Sequence, residues 1–482
     1  MTTNPPLSAQ HAPLQVGQVL DGFRLEARLH QGGMANLWRV SRVDGTDDGG
    51  IELLMKVPRI KGGEDPATIV GFEVEQMLMP QLSGPHVPRF VARGDWTRQA
   101  FIVMEHIPGE TLRPRLDDAP LPPEEVADIG ARVATALAAL HRQHVVHLDI
   151  KPSNIMFRPD GTAVLVDFGL SRHEQLPDLL EEEFTLPMGT GPYMSPEQVQ
   201  FVRSDPRSDL FALGVMLYHL ATGERPFGQP DSVRGLRRRL YVEPVPPRAI
   251  RPELPPWLQE IILHCLEVKP EKRYQSAAQL ALDLREPTGV VLTARAEKLR
   301  VSGAMLRMKR WFFALGADPA AVPAVTEQLA RSPIVMAAVE VDRGTNELRA
   351  QLCETVRRIV QTETGARLAC VSVMKINRIG IDELTDQHGQ SLHVKQLIAL
   401  KHWARPISKA LDLADGRLTF HVLEAPDVAD ALVDFARRNG VDHIVMGARG
   451  ASALRRYLGS VSSQVVAESD CTVTVVREPA AS

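Results

Sequence analysis

The chain has 482 residues, enough for roughly three folding units, and its 44% hydrophobic and 24% charged content is ordinary globular usage. With 55 basic against 59 acidic residues the formal charge is -4, which argues against a general nucleic-acid binder held by phosphate contacts. Four cysteines (Cys265, Cys353, Cys370, Cys471) with no Cys-x-x-Cys pair exclude a disulfide scaffold and a cysteine zinc site, and fit a reducing cytoplasm.

Residues 1–16 read as a short disordered arm without the basic-then-apolar order of a secretory signal. No apolar run approaches the roughly 18 residues of a spanning helix; the longest, Leu210 to Leu220, is interrupted by Gly214 and His219. From 17 to 107 the pattern is strands with one helix among them. Phe23 to Ala27 alternates, Gly32-Gly33 breaks it, and Leu37 to Val43 resumes. The run Asp44 to Gly50 has hairpin composition, and Ile51 to Val57 returns as a strand. Phe72 to Leu82 is expected to be a short helix, and Phe101 to Met104 a buried strand stopped by Pro108-Gly109.

Residues 120–285 are expected to be mostly helical. Val126, Ile129, Val133, Leu137 and Leu140 recur at helical spacing. A Glu- and Pro-rich stretch from 170 to 195 reads as loop, and 286–331 as a linker. Within the linker, 295–313 carries six basic residues against Glu297 and ends in Trp311-Phe312-Phe313. It reads as a basic amphipathic helix that docks on a neighbouring domain or binds a partner or membrane surface. From 332 to 477 strands alternate with helices: Ile334 to Val341, Leu368 to Met374, Leu418 to Leu423, His443 to Met446 and Thr472 to Val476 are the strands. That order predicts an α/β doubly wound, mostly parallel sheet.

The densest chemical signal is His147-Leu148-Asp149-Ile150-Lys151-Pro152-Ser153-Asn154, followed 13 residues after Asn154 by Asp167-Phe168-Gly169. Phosphoryl transfer needs a carboxylate near the acceptor hydroxyl, oxygen ligands for magnesium and cations on the phosphates. Asp149 fits the first, Asn154 and Asp167 the second, since hard Mg²⁺ prefers oxygen. Lys151 fits the third. Any one piece alone is also what a turn or a solvated edge produces; the ordered set is not.

These residues resemble the protein-kinase catalytic loop and metal-binding segment, and the rest of 17–285 supplies the remaining parts in order. The resemblance implies an α+β two-lobed kinase fold, with a small lobe over 17–107 and a large lobe over 108–285. It implies a phosphate-covering loop over Leu29, His30, Gln31, Gly32, Gly33, Met34, Ala35, Asn36 and Leu37. It implies a phosphate-binding lysine at Lys56 and a glutamate partner at Glu75, 19 residues on. Met104, Glu105 and Ile107 fall in the hinge that reads the adenine edge. Met194-Ser195-Pro196-Glu197 stands for the A-P-E element, Arg273 for the buried partner of its glutamate, and Asp209 for the brace of the catalytic loop. The wording around Gly-Gly-Met and Tyr-Met-Ser-Pro-Glu-Gln is similar to the bacterial, eukaryotic-like serine/threonine branch. ATP, Mg²⁺ (or Mn²⁺) and protein substrates follow from the resemblance, as does autophosphorylation, while a cytoplasmic location is the expectation from the missing signal and spanning run. Lys151 two residues after Asp149 favours serine/threonine over tyrosine acceptors.

The departures are specific. His30 and Ala35 stand where the glycine-rich loop has its outer glycines, and Leu54 stands for the small residue that packs on adenine. Leu148 stands for the arginine that, in the family, pairs with a phosphorylated activation-loop residue. Its absence predicts activation without a strict need for that phosphate. Glu181-Glu182-Glu183 lies in the same loop with no contact readable from sequence. Thr185 is a candidate autophosphorylation site, and Thr190 is expected to hold the peptide platform. A pseudokinase that signals nucleotide state without transfer is the alternative that the altered loop leaves open.

Near the C-terminus, the strand from His443 runs into Gly447-Ala448-Arg449-Gly450, and eight residues then precede Gly459-Ser460-Val461. Backbone N–H groups at such a strand–loop–helix junction face anions. Residues 332–477 resemble the universal stress protein family, which implies a second nucleotide-binding-like site of Glu340, Val373, Gly447, Gly450, Gly459, Ser460 and Val461. The spacing to Gly459 is one residue shorter than in that family's ATP-binding branch, and Glu340 replaces an aspartate. The resemblance also implies a homodimer through the last strand.

Overall fold

The computed structural model describes residues 14–31, 34–59, 66–230, 232–301, 332–341, 345–363, 365–376, 391–411, 413, 416–448 and 459–477. Gly32, Gly33, Gly450 and the part of the expected linker from 302 to 331 lie outside the described residues.

The small lobe is an antiparallel sheet of Val19–Leu20, Phe23–Gln31, Ala35–Arg42, Leu53–Pro58, Phe101–Glu105 and Phe90–Gly94, in that spatial order. Period-two alternation sends Phe23, Leu25, Trp38, Val40, Leu53, Met55, Val57, Phe101 and Val103 into one core. It therefore turns Lys56, between Met55 and Val57, to the opposite face. A single helix, Pro66–Leu78, covers that face. It begins at Pro66 rather than at the expected Phe72, and a 3₁₀ turn, Met79–Gln81, follows it. Proline is tolerated in the first turn because an N–H there has no intrahelical acceptor.

The large lobe is built on the helices Pro123–His141, Arg207–Thr222, Pro256–Cys265 and Ala277–Arg285. Val126, Val133, Leu137 and Leu140 are fully buried along one stripe of the first, as their spacing requires. Two stretches differ from the sequence reading. The 170–195 segment is not all loop: Arg172–His173 pairs with Val145–Val146, and Leu179–Glu183 forms a short helix capped by Asp178. Its Glu-rich composition hides the apolar pair Leu179 and Leu180, both buried. The basic helix expected from 295 does not start there. Residues 295–301 form turns and bends fixed to the large lobe, and 302–313 lie outside the described residues. Arg295 pairs with Glu260 at 2.9 Å and Glu267 at 3.0 Å, and Lys298 with Glu243 at 2.8 Å. The Gln259 amide donates to the carbonyls of Arg295, Ala296 and Lys298.

The C-terminal domain is a five-stranded sheet, parallel throughout, in the order Leu418–Ala425, Arg367–Lys375, Ile334–Ala338, His443–Ala448, Thr472–Arg477. Strand order reverses on either side of Ile334–Ala338, which opens a crevice at the carboxyl ends of the strands. Among the described residues no helix is long and apolar enough to cross a membrane.

The two domains share a packed boundary. Met374, Val394, Leu397 and Val422 of the C-terminal domain belong to the same apolar cluster as Leu179 and Leu180. Alternate residues of the edge strand Leu418–Ala425 meet the N-terminal domain from both faces. Phe420 and Val422 join the shared core, while His421 and Arg367, the latter beside Thr419, reach Glu182 and Glu183. Burial, reinforced by Glu73, Glu182 and Glu424, pushes the Glu183 carboxyl well up. Burial and the neighbouring Arg367 push His421 well down. Both shifts disfavour the charged forms of these two groups, whose Glu183 Oε1 and His421 Nδ1 lie 3.0 Å apart.

Candidate active site

Lys56 is reached from two sides. Its Nζ donates to Glu75 Oε2 at 2.6 Å and to Asp167 Oδ1 at 2.8 Å. Glu75 is buried and also accepts the Phe168 amide. Burial opposes charge on Lys56, but Asp167 and Glu75 outweigh it and hold its pKa above the ordinary range. Asp167, in turn, is pulled down to about 2, chiefly by Lys56. Both shifts favour the charged forms of Lys56 and Asp167, whereas burial pushes the Glu75 carboxyl up. The Asp167 side chain is 45% exposed, whereas Glu75 is sealed, so Asp167 is the open member of the trio.

Asp149 is fixed by four donors. Thr190 gives its amide at 3.1 Å and its hydroxyl at 2.6 Å to Oδ1. Lys151 Nζ at 2.7 Å and Asn154 Nδ2 at 3.1 Å donate to Oδ2. Lys151 also donates to Thr190 Oγ1 at 2.9 Å. Asn154 Nδ2 further donates to the Asp149 carbonyl at 3.0 Å, which fixes the amide and leaves Oδ1 as its ligand atom. Two hard oxygens, Asn154 Oδ1 and a carboxylate oxygen of Asp167, suit Mg²⁺ or Mn²⁺.

The backbone around these groups is strained and over-determined. Leu148 and Asp167 both have positive φ, +63° and +67°, a conformation costing on the order of 1–3 kcal/mol each. Asp209, fully buried, accepts the amides of His147 at 2.9 Å and Leu148 at 2.8 Å, and His141 Nε2 donates to it at 2.9 Å. Gln198 Nε2 donates to the Leu148 carbonyl at 2.7 Å. His147 is buried with its ring 5.2 Å from that of Phe168, behind the loop. Glu197 pairs with Arg273 through two bonds of 2.6 and 2.8 Å.

Around the cleft, Leu29, His30 and Gln31 end one strand and Ala35, Asn36 and Leu37 begin the next, with His30 opposite Leu37 and Gln31 opposite Asn36. Met34 is exposed at the turn. Leu54 lies opposite Met104 in the ladder. Glu105 is held by Arg158, and the amides of Glu105 and His106 donate to the Arg89 and Glu52 carbonyls, leaving Ile107 as the next hinge residue. Thr185 is exposed.

Sequence reasoning missed three participants. Gln198, inside a recognised motif, pins the loop through an amide that no spacing rule marks. Gly71 and Gly169 touch: a Cβ on Gly71 would sit 3.0 Å from the Gly169 carbonyl oxygen, and one on Gly169 would sit 3.2 Å from that of Gly71. Both neighbours are backbone, so neither yields cheaply. Gly71→Ala is expected to push helix Pro66–Leu78 off the Asp167 loop, lengthen the Lys56–Glu75 contact and cut phosphate transfer at least several-fold. Global stability should fall by only about 1–3 kcal/mol. Steady-state kinetics beside a melting curve checks this.

In the C-terminal domain, Glu340, Val373, Gly447, Gly459, Ser460 and Val461 line one cavity of 720 Å³, with Gly450 outside the described residues. The N-terminus of helix Ser460–Glu468 opens onto it.

Residues 56–283 match the protein kinase domain family, and residues 335–477 match the universal stress protein family. The serine/threonine-protein kinase PknL of Mycobacterium tuberculosis is 31% identical over 330 residues, which is 67% of this chain and 81% of that protein. PknB of Mycobacterium leprae is 31% identical over 290 residues, 59% of this chain and 44% of PknB. A chain named as a serine/threonine-protein kinase in Clostridium perfringens is 31% identical over 231 residues, 47% of this chain and 33% of its own length. The chain thus spans less than half the length of the latter two.

Proposed function

Because this chain belongs to the bacterial serine/threonine protein kinase family, with a universal stress protein domain behind its kinase domain, we propose that it transfers the γ-phosphate of ATP to protein hydroxyls, its own included. One observation supports this above the rest: Lys56 is bound to Glu75 and Asp167 while Asp149 is held by Lys151, Thr190 and Asn154. Lys56 grips the ATP phosphates. Met104, Glu105 and Ile107 receive the adenine edge. Asn154 and Asp167 hold the divalent ion, which supplies positive charge against the phosphates when bound. Asp149 orients the acceptor hydroxyl and takes its proton, and Lys151 sits where the moving phosphoryl group carries charge. Positioning and fixed charge account for most of the rate.

The domain limits that fit this reading are 17–285 for the kinase, extended along its surface to 301, and 332–477 for the second domain. The 720 Å³ cavity in the latter fits a nucleotide-sized ligand whose phosphates face the start of helix Ser460–Glu468. A homodimer through Thr472–Arg477, an edge strand of the sheet, would favour autophosphorylation in trans, with Thr185 as the accessible acceptor.

The test is incubation with labelled ATP and Mg²⁺ or Mn²⁺, with a basic protein as added acceptor and phosphosite mapping of the chain. Wild type is expected to label itself and the acceptor, and Lys56→Met to lose both signals. Equal labelling of the two, or none in wild type despite nucleotide binding, leaves the pseudokinase alternative.

A further inference from the structure

Three acidic residues in a row, Glu181-Glu182-Glu183, have no role in the chemistry above. They lie between Asp167 and Ser195, in a segment that orders the peptide platform of a kinase. Two of them are answered from the other domain. Arg367 donates to Glu182 through both terminal nitrogens, at 2.5 and 2.6 Å, and also to Thr419 Oγ1 at 2.8 Å. The pair is nearly sealed, at 11% and 10% side-chain exposure. His421, fully buried, meets Glu183. The cap residue Asp178 is instead held from within the kinase domain, by Arg203 at 2.7 Å.

A second contact grips the helix of Glu75. Lys401 Nζ lies 2.5 Å from Glu73 Oε1 and 5.1 Å from the centre of the Phe420 ring. Glu73 and Glu75 are two positions apart, hence roughly 200° apart around the helix. One faces the C-terminal domain while the other faces Lys56. A rotation of the helix that withdrew Glu75 from Lys56 would have to break Glu73 from Lys401. The short helix Leu179–Glu183 packs between these elements, touching both Pro66–Leu78 and Leu418–Ala425.

We propose that Arg367 and Lys401 are positioning residues for phosphoryl transfer: the C-terminal domain supplies, from outside the kinase fold, the cations that hold the activation segment and the Glu75 helix in the transferring arrangement. Leu148, uncharged and buried, offers no cation from the catalytic loop for this task. The proposal rests on the kinase reading above.

A buried fork whose anion loses its partner is strongly penalised, whereas an ion pair with both partners exchanged keeps its attraction. The experiment uses the full chain. Arg367→Ala and Lys401→Ala are each expected to lower kcat about tenfold with a smaller change in the KM for ATP. Hydrogen exchange over 66–78 and 179–183 is expected to speed up in both. Glu182→Arg combined with Arg367→Glu is expected to recover most of the loss, which a merely unfolded variant would not do. Unchanged or raised transfer in Arg367→Ala and Lys401→Ala, beside an active wild type and an inactive Lys56→Met, overturns the proposal and leaves the kinase reading intact. If wild type itself transfers nothing, the kinase reading fails. Exchange over 66–78 then decides the mechanical part alone, and unaltered protection in both variants overturns it.

Discussion

Asp149→Asn is expected to lower single-turnover phosphate transfer by about 10²–10⁴, the span usual for a lost general base, with ATP affinity unchanged. The substitution keeps the side-chain outline but removes the charge and turns one of two acceptor oxygens into a donor. Four hydrogen bonds now converge on that carboxylate, two on each oxygen. An amide can satisfy only one side, and its NH₂ must face either the Thr190 donors or the Lys151 and Asn154 donors. On the proposed mechanism the loop therefore loses both its base and the geometry that aims it. Rapid-quench measurement at saturating ATP checks this. Retention of more than about a tenth of the wild-type rate would remove Asp149 from the mechanism.

Arg273→Ala is expected to be strongly destabilising to the kinase domain. Arg273 and Glu197 are both buried and doubly bonded. The guanidinium also donates to the carbonyls of Arg207, Glu267 and Val268, and it lies 5.0 Å from the Phe211 ring centre. Truncation leaves an uncompensated carboxylate and three carbonyls without their donor. Breaking such a pair typically costs about 3–5 kcal/mol. Ser208, which donates to the same Glu197 oxygen at 2.7 Å, offsets little because it brings no charge. Arg273→Lys restores charge but not the fork, and should recover only part. Denaturant titration checks both, and a loss below about 1 kcal/mol for the alanine variant would contradict the account.

The candidate site groups that the structure brings together could be picked out because each sits in a short continuous string of residue types suited to phosphate chemistry. Asp149, Lys151 and Asn154 share one loop, and Asp167 follows in the next. The C-terminal sheet was legible for a different reason: fully buried parallel strands leave uninterrupted apolar runs such as Ile334 to Ala338. What stayed hidden was pairing across distance. Glu182 and Arg367 are 185 positions apart, and Glu183 and His421 are 238 apart. Nothing in one sequence links them, and a run of three glutamates reads as a solvated face. The helix Leu179–Glu183 was hidden because five residues are too few to display a period. For 295–301 docking on a neighbour was among the readings, but its partners and its non-helical form were hidden because basic residues look identical whether they meet water or Glu260, Glu267 and Glu243.

The seating of the strand Leu418–Ala425 against the kinase domain has a consequence for assembly. A parallel sheet ordinarily presents two rims of unmet backbone groups, and two rims permit growth without limit. Here one rim is straddled on both sides by another part of the same polypeptide, and Thr472–Arg477 is the other rim among the described residues of this sheet. A parallel sheet with one open rim pairs once along that rim, whereas one with two can go on adding copies.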